Sequence, residues 1–221
     1  SSIKAWSEFF KKSTIVGIDI KKIDLKKNSL IKKNIKIYCG SQIDDYFLEQ
    51  ITSKYGKFDI IIDDGSHFPK HVIKTFNFLF SKLKKNGIYF IEDVQTSYNH
   101  YFGGNPFDLK YSNTHMNYFK HLTDSLNYQE IANPFYSKKK FDGLIKNISF
   151  FHNMIVIKKG INNLKSNIVL DNSYENKRYK NRLITKDNKI RYFIKYKIIF
   201  KSYTFLFFLF NTLRKIILFR Y

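Results

Sequence analysis

Four short runs of apolar, mostly β-branched residues alternate with stretches of helical periodicity through the first 160 residues, and polar or acidic residues stand at the end of every run. Ile15 to Ile20 carries Asp19 near its end, and Ile35 to Tyr38 leads into Cys39-Gly40-Ser41. Phe58 to Ile62 leads into Asp63-Asp64-Gly65, and Ile88 to Ile91 leads into Glu92-Asp93. Runs that are apolar on both faces suit strands covered on both sides, as in a parallel sheet. Between them, Ile43 to Lys54 and Pro69 to Leu83 read as helices. The second has Val72, Phe76, Leu79, Phe80 and Leu83 at helical spacing, with Pro69 in its first turn. Asn86-Gly87 predicts a turn into the next strand. The alternation predicts an α/β fold with a doubly wound, mostly parallel, Rossmann-like sheet.

From Asn99 to Lys140 the pattern is broken by Gly103-Gly104, Asn105-Pro106 and Asn133-Pro134, which predicts an inserted lid over a site. Ile148 to Phe151 and Met154 to Ile157 flank His152-Asn153 as the two arms of a hairpin. The expected organisation is therefore one domain over residues 1–160, with a lid at 99–140, followed by a basic, aromatic-rich extension over 161–221.

The net charge of +21 raises the question of nucleic acid, but most of these lysines read as a solvated surface, so nucleic acid is not the expected partner. The excess concentrates late in the chain: Asn176 to Lys201 holds ten Lys or Arg against one acid, Asp187. That stretch suits an anionic surface such as membrane headgroups. The apolar run Tyr203 to Leu213 is too short to span a bilayer. Cys39 is the single cysteine, so no intrachain disulfide forms and a reducing compartment is expected. Ser1 to Phe10 has no apolar signal-peptide core, which points to the cytoplasm, with peripheral membrane contact through the tail as an added expectation. A homo-oligomer is compatible with the sequence, which does not specify one.

Open α/β sheets bind ligands beyond the carboxyl ends of their strands, where this chain carries its polar set. Asp19 is suited to accept both hydroxyls of a nucleotide ribose, or to form a turn. Ser41 and Gln42 suit an adenine edge, or the cap of the following helix. An aspartate of the Asp63-Asp64 pair, with Glu92 and Asp93, offers three hard oxygens from neighbouring loops, a ligand set for Mg2+. An imidazole titrates near neutral pH as a class, so His67 suits a base that takes a proton from an alcohol beside such an ion. His71 reads as a surface or supporting residue.

These residues also carry a family resemblance. The segments Ile61-Ile62-Asp63-Asp64-Gly65-Ser66-His67, Gly87-Ile88-Tyr89-Phe90-Ile91-Glu92-Asp93 and Gln95-Thr96-Ser97-Tyr98 occur in order and at compatible spacing. With Ser2-Ile3-Lys4-Ala5-Trp6, Gly17-Ile18-Asp19-Ile20, Gly40-Ser41-Gln42 and Ile148-Ser149-Phe150-Phe151-His152-Asn153, the chain resembles the macrocin and mycinamicin sugar O-methyltransferases. The cephalosporin hydroxylase group is a more distant likeness. The resemblance covers roughly residues 1–160. It implies S-adenosylmethionine and Mg2+ as cofactors and a saccharide or glycosylated small molecule as acceptor. It also implies Asp64, Glu92 and Asp93 as metal ligands, His67 as catalytic base, Asp19 on the ribose, and Asp63 near the methionine end of the cofactor. Two departures follow from it. The family's first strand and glycine-rich turn would fall before Ser1, and the family often has an acid where Ser41 stands. Poor cofactor binding and marginal folding are expected of the chain on the first account.

Two other classes of function remain open from sequence. One is a different enzyme on the same scaffold, as in the hydroxylase relatives, because a fold does not fix a chemistry. The other is a silent module that binds membranes or polyanions through the tail. The intact Asp64, His67, Glu92 and Asp93 set favours an enzyme, since a binding module has no need of it.

Overall fold

A computed structural model describes residues 2–25, 32–131, 133, 135–163 and 194. The chain divides into two compact units, Ser1–Leu126 with Phe141–Asn162, and Asn127–Lys140 with Asn163–Tyr221. Most of the second unit, including the basic tail and the Tyr203 to Leu213 run, lies outside the described residues. Its described part includes a short turn, Tyr128–Glu130, with the Tyr128 hydroxyl donating to Asn163 Oδ1 at 2.9 Å.

In the first unit, helix α1 (Ser2–Phe9) precedes β1 (Ile15–Asp19) and β2 (Ile35–Cys39), which pair in parallel as a two-stranded sheet. Helix α2 (Asp45–Tyr55) leads into β3 (Phe58–Asp63), and α3 (Pro69–Leu79) with a closing 3-10 turn leads into β4 (Leu83–Glu92). Beyond the insert, which carries α4 (His115–His121), β5 (Ile145–Phe151) and β6 (Met154–Lys159) form the expected hairpin about Asn153. The second sheet runs β3-β4-β6-β5, with β3 and β4 parallel and β6 antiparallel to both neighbours. All four expected runs are strands, each paired in parallel, and the hairpin makes the larger sheet mixed. Among the described residues no backbone ladder joins the two sheets.

The core lies on one face of the larger sheet. Along β4, Leu83, Gly87, Tyr89 and Ile91 are buried, while Ile88, Phe90 and Glu92, which alternate with them, are only partly covered. Ile155 and Ile157 of β6 and Ile145 of β5 join them, and Val72, Phe76 and Phe80 close over the layer with Phe119 of α4 and Phe141. Phe76 has no exposed surface and meets Tyr89 and Phe119 edge to face, with centroids 5.1 and 4.9 Å away. Such contacts add to the burial of large rings. The expectation of strands covered on both faces therefore holds for one face only; Ile18 and Ile60 are 37% exposed among the described residues.

Two local expectations shift. Asn86-Gly87 is not a turn ahead of the strand but a bulge within it. The pairing steps from Phe58↔Leu83 to Ile60↔Ile88, and Asn86 takes up the extra length at φ 67°. Helix α2 is capped by Asp44, whose carboxylate accepts the Phe47 N–H at 3.1 Å, rather than by Ser41 or Gln42. Helix α3 begins as expected, with Pro69 in its first turn, where a missing N–H costs nothing. No helix among the described residues is long and apolar enough to cross a membrane.

Candidate metal and proton-transfer site

The ends of β3 and β4 lie side by side because these strands are parallel neighbours, with Asp63 opposite Ile91. The next residues of each strand, Asp64 on one side and Asp93 on the other, then fall close together. His67 follows Asp64 on the loop that enters α3. One ligand atom from each of Asp64, His67 and Asp93 lies within 4.8 Å of the others. The imidazole Nε2 stands 3.5 Å from Asp93 Oδ2 and 3.9 Å from Asp64 Oδ1. The His67 side chain is mostly enclosed, whereas both carboxylates are about half exposed.

Glu92, the last residue of β4, does not join that triad. It is close enough to feel it: burial first, then the Asp64 and Asp93 carboxylates, hold its carboxyl above the ordinary range, and His67 pulls the other way. Three acids crowded beside an imidazole fit a hard divalent cation, since its charge would relieve the repulsion that the acids exert on one another. Carboxylate oxygens with open solvent beyond them suit Mg2+, which retains several waters.

Asp63 and Asp64 are adjacent and serve different surroundings. Asp63 is buried, and the loss of water raises its pKa to about 6 against hydrogen bonds from Gln42, Tyr89 and the Gly65 backbone. The Tyr89 hydroxyl, itself buried, donates to Asp63 Oδ2 at 3.4 Å. Gln42 organises the same floor. Its amide nitrogen donates to Asp63 Oδ1 at 3.2 Å and Thr75 Oγ1 at 3.0 Å, and its oxygen accepts the Ser66 N–H at 2.7 Å. A Cβ on Gly65 would land on that amide oxygen, which explains a glycine there. The Gln42 amide is thus engaged within the protein, between the end of β2 and the loop after β3.

Asp19 ends β1 and is exposed; its Oδ1 accepts the Lys21 N–H at 2.7 Å, the geometry of a turn aspartate. Ser41 Oγ accepts the Ile43 N–H at 3.4 Å. His71 Nδ1 lies 2.8 Å from Ser66 Oγ. Of the eight residues singled out from sequence, the structure brings Asp64, His67 and Asp93 together. It sets Glu92 and Asp63 alongside them, links Gln42 to Asp63, and leaves Asp19 and Ser41 at the ends of the other sheet's strands.

Sequence reasoning missed Thr96 and His115. Thr96 lies in the 3-10 turn Val94–Tyr98 that follows Asp93, and its hydroxyl donates to carbonyls of both Asp93 and His67. His115 opens α4 with no exposed surface; burial lowers its pKa to about 4, against the Val94 backbone. Its Nδ1 has no partner in hydrogen-bonding geometry. No spacing in the sequence links position 115 to position 96, so only the folded chain reveals the pair.

No protein-family model matches the sequence. Individual relatives do. The chain is 36% identical over 162 residues to mycinamicin VI 2''-O-methyltransferase of Micromonospora griseorubida, a match that covers 73% of this chain and 40% of the relative. It is 36% identical over 166 residues to demethylmacrocin O-methyltransferase of Streptomyces fradiae, with the same coverage of 73% and 40%. Among solved structures, MycE methyltransferase of the mycinamycin pathway, in complex with Mg and SAH, aligns with a TM-score of 0.68 at 35% identity over 73% of this chain and 41% of its own. The MycE complex that also holds mycinamycin VI aligns with a TM-score of 0.68 at 32% identity, over 79% and 44%. The chain therefore spans about two fifths of the length of the curated relatives it matches. Within that span, a shared fold and more than a third of shared residues make the chain similar to the sugar O-methyltransferases of the macrocin and mycinamicin type.

Proposed function

We propose that this chain carries the cofactor and metal half of an S-adenosylmethionine-dependent, Mg2+-assisted O-methyltransferase that acts on a hydroxyl of a sugar or glycosylated acceptor. The observation that carries the reading is the Asp64, His67 and Asp93 cluster, assembled from two loops at the carboxyl edge of a parallel strand pair. MycE has been solved with Mg, SAH and mycinamycin VI, which supports the same ligand classes here.

In this reading Asp64 and Asp93 hold the cation, with Glu92 as the third carboxylate. A bound Mg2+ supplies Lewis-acid stabilisation to an oxygen that is losing its proton. His67 Nε2 takes the proton of the acceptor hydroxyl, and its enclosed side chain keeps the ring facing both carboxylates. Asp19 binds the ribose, Ser41 lies beside the adenine, and Asp63 and Gln42 form the floor under the methionine end. The insert supplies the lid that selects the acceptor.

The test is methyl transfer from S-adenosylmethionine to a panel of glycosylated acceptors, with and without chelator. Replacement of His67 with Ala is expected to reduce turnover by roughly 10²–10⁴-fold, the usual contribution of a general base. Chelator is expected to abolish transfer, and Asp64→Asn to mimic chelator. Transfer that survives chelation at full rate would refute the metal assignment.

A further inference from the structure

Four non-glycine residues among those described have left-handed backbone: His67 at φ 57°, Asn86 at 67°, Asp93 at 52° and Asn153 at 58°. The two asparagines occupy a bulge and a hairpin turn, where Asn tolerates this conformation. His67 and Asp93 stand on loops from different strands, in neither a bulge nor a hairpin turn. Residues held in sparsely populated backbone conformations persist only where their surroundings enforce them.

One side chain touches both. Thr96 Oγ1 lies 3.0 Å from the His67 carbonyl oxygen and 2.8 Å from that of Asp93. A hydroxyl has one hydrogen, so the two carbonyls share it. Thr96 is only 6% exposed, and the His115 imidazole, wholly buried, closes its other side with Nε2 at 3.4 Å. The surrounding insert is fixed to the same turn. Met116 N–H donates to Ser97 Oγ at 3.1 Å, and Asn105 N–H to the Ser97 carbonyl at 2.9 Å.

We propose that Thr96, backed by His115, is a positioning residue that sets both loops of the site at once. Its buried hydroxyl holds the carbonyls of His67 and Asp93 together, and so keeps both residues in the left-handed conformation that brings imidazole and carboxylate to 3.5 Å. The functional consequence rests on the proton-transfer and metal reading above; the backbone consequence does not. Thr96 touches neither acceptor nor cation in this account, and acts through the residues that do.

The experiment separates the two. In metal-free chain, the Cα and carbonyl 13C shifts of His67 and Asp93 report their backbone conformation. Thr96→Val, which keeps the shape and deletes the hydroxyl, is expected to move both residues' shifts, whereas Thr96→Ser leaves them in place. Titration with Mn2+ then reads the site, and Thr96→Val is expected to raise the dissociation constant by roughly 10–100-fold, as loss of a supporting partner does. Unchanged shifts at both residues, or movement at only one, overturns the proposal. If wild-type chain fails to bind Mn2+ while both shifts still respond, the metal reading falls and the positioning role stands. Should Thr96→Val fail to fold, the wild-type chain decides: a separate, slowly exchanging Thr96 hydroxyl proton supports the buried bridge, and its absence overturns it.

Discussion

Replacing Gln42 with Leu removes one amide that serves three partners at the junction of the two sheets. The lost contacts are the Ser66 N–H at 2.7 Å, the Thr75 hydroxyl at 3.0 Å and the Asp63 carboxylate at 3.2 Å. Two neutral hydrogen bonds contribute about 1 kcal/mol each and one to a carboxylate about 1.5–3 kcal/mol. Gln42 is half-buried, so water replaces part of this, while Asp63 is buried and is not readily rehydrated. The expected loss is about 2–4 kcal/mol of unfolding free energy, or a fall in Tm of roughly 5–15 °C for a chain of this size. Urea unfolding followed by circular dichroism measures the first and a thermal scan the second. Gln42→Glu is a useful companion, because it keeps the shape but sets a second carboxylate against Asp63. A loss below about 0.5 kcal/mol for Leu would refute the reasoning and show that the loop after β3 is held by backbone alone.

Two further outcomes are expected. His115 has its folded pKa lowered to about 4, against about 6.5 when unfolded, so its contribution to stability is complete above pH 6.5 and is lost as pH falls toward 4. His115→Asn should flatten the pH dependence of the urea midpoint between pH 7 and 4.5, and equal slopes for the two proteins would refute this. Lys159 Nζ donates to the carbonyls of Phe80, Ser81 and Leu83 at 2.9, 3.1 and 2.9 Å, where α3 and its closing turn end. Lys159→Met should cost about 1.5–3 kcal/mol in the same urea assay, and a neutral result would mean that water serves those carbonyls equally well.

What the sequence disclosed depended on how local each signal was. The β-branched runs and Pro69 marked β1 to β4 and the start of α3, because pattern and propensity act over a few residues. The hairpin about His152-Asn153 was legible for the same reason. Asn86-Gly87 misled: those residues mark a left-handed backbone position, and a bulge needs one as much as a turn does. The acids at the strand ends were visible as a set, yet their division of labour was not. Nothing local distinguishes a buried Asp63 from an outward Asp64, or places Glu92 outside the triad that Asp93 joins. Gln42, Thr96 and His115 act through partners 19 to 33 positions away, which only the packed chain brings near.

The contrast between Asp63 and Asp64 turns on the pleat of β3. Successive side chains of a strand face opposite ways, so the strand's end delivers one acid to the protein's interior and its neighbour to the open edge. A single added or deleted residue in β3 would exchange them. Composition, charge and motif letters would survive such a slip almost untouched, yet the acid meant for solvent would be sealed among Tyr89 and Gln42, and the other turned out toward His67. The spacing between the core of β3 and its terminal acids is therefore under a phase constraint that the loop from Gly65 to Phe68 does not share. A change of length in that spacing among related chains would exchange the two acids even where every motif residue is kept.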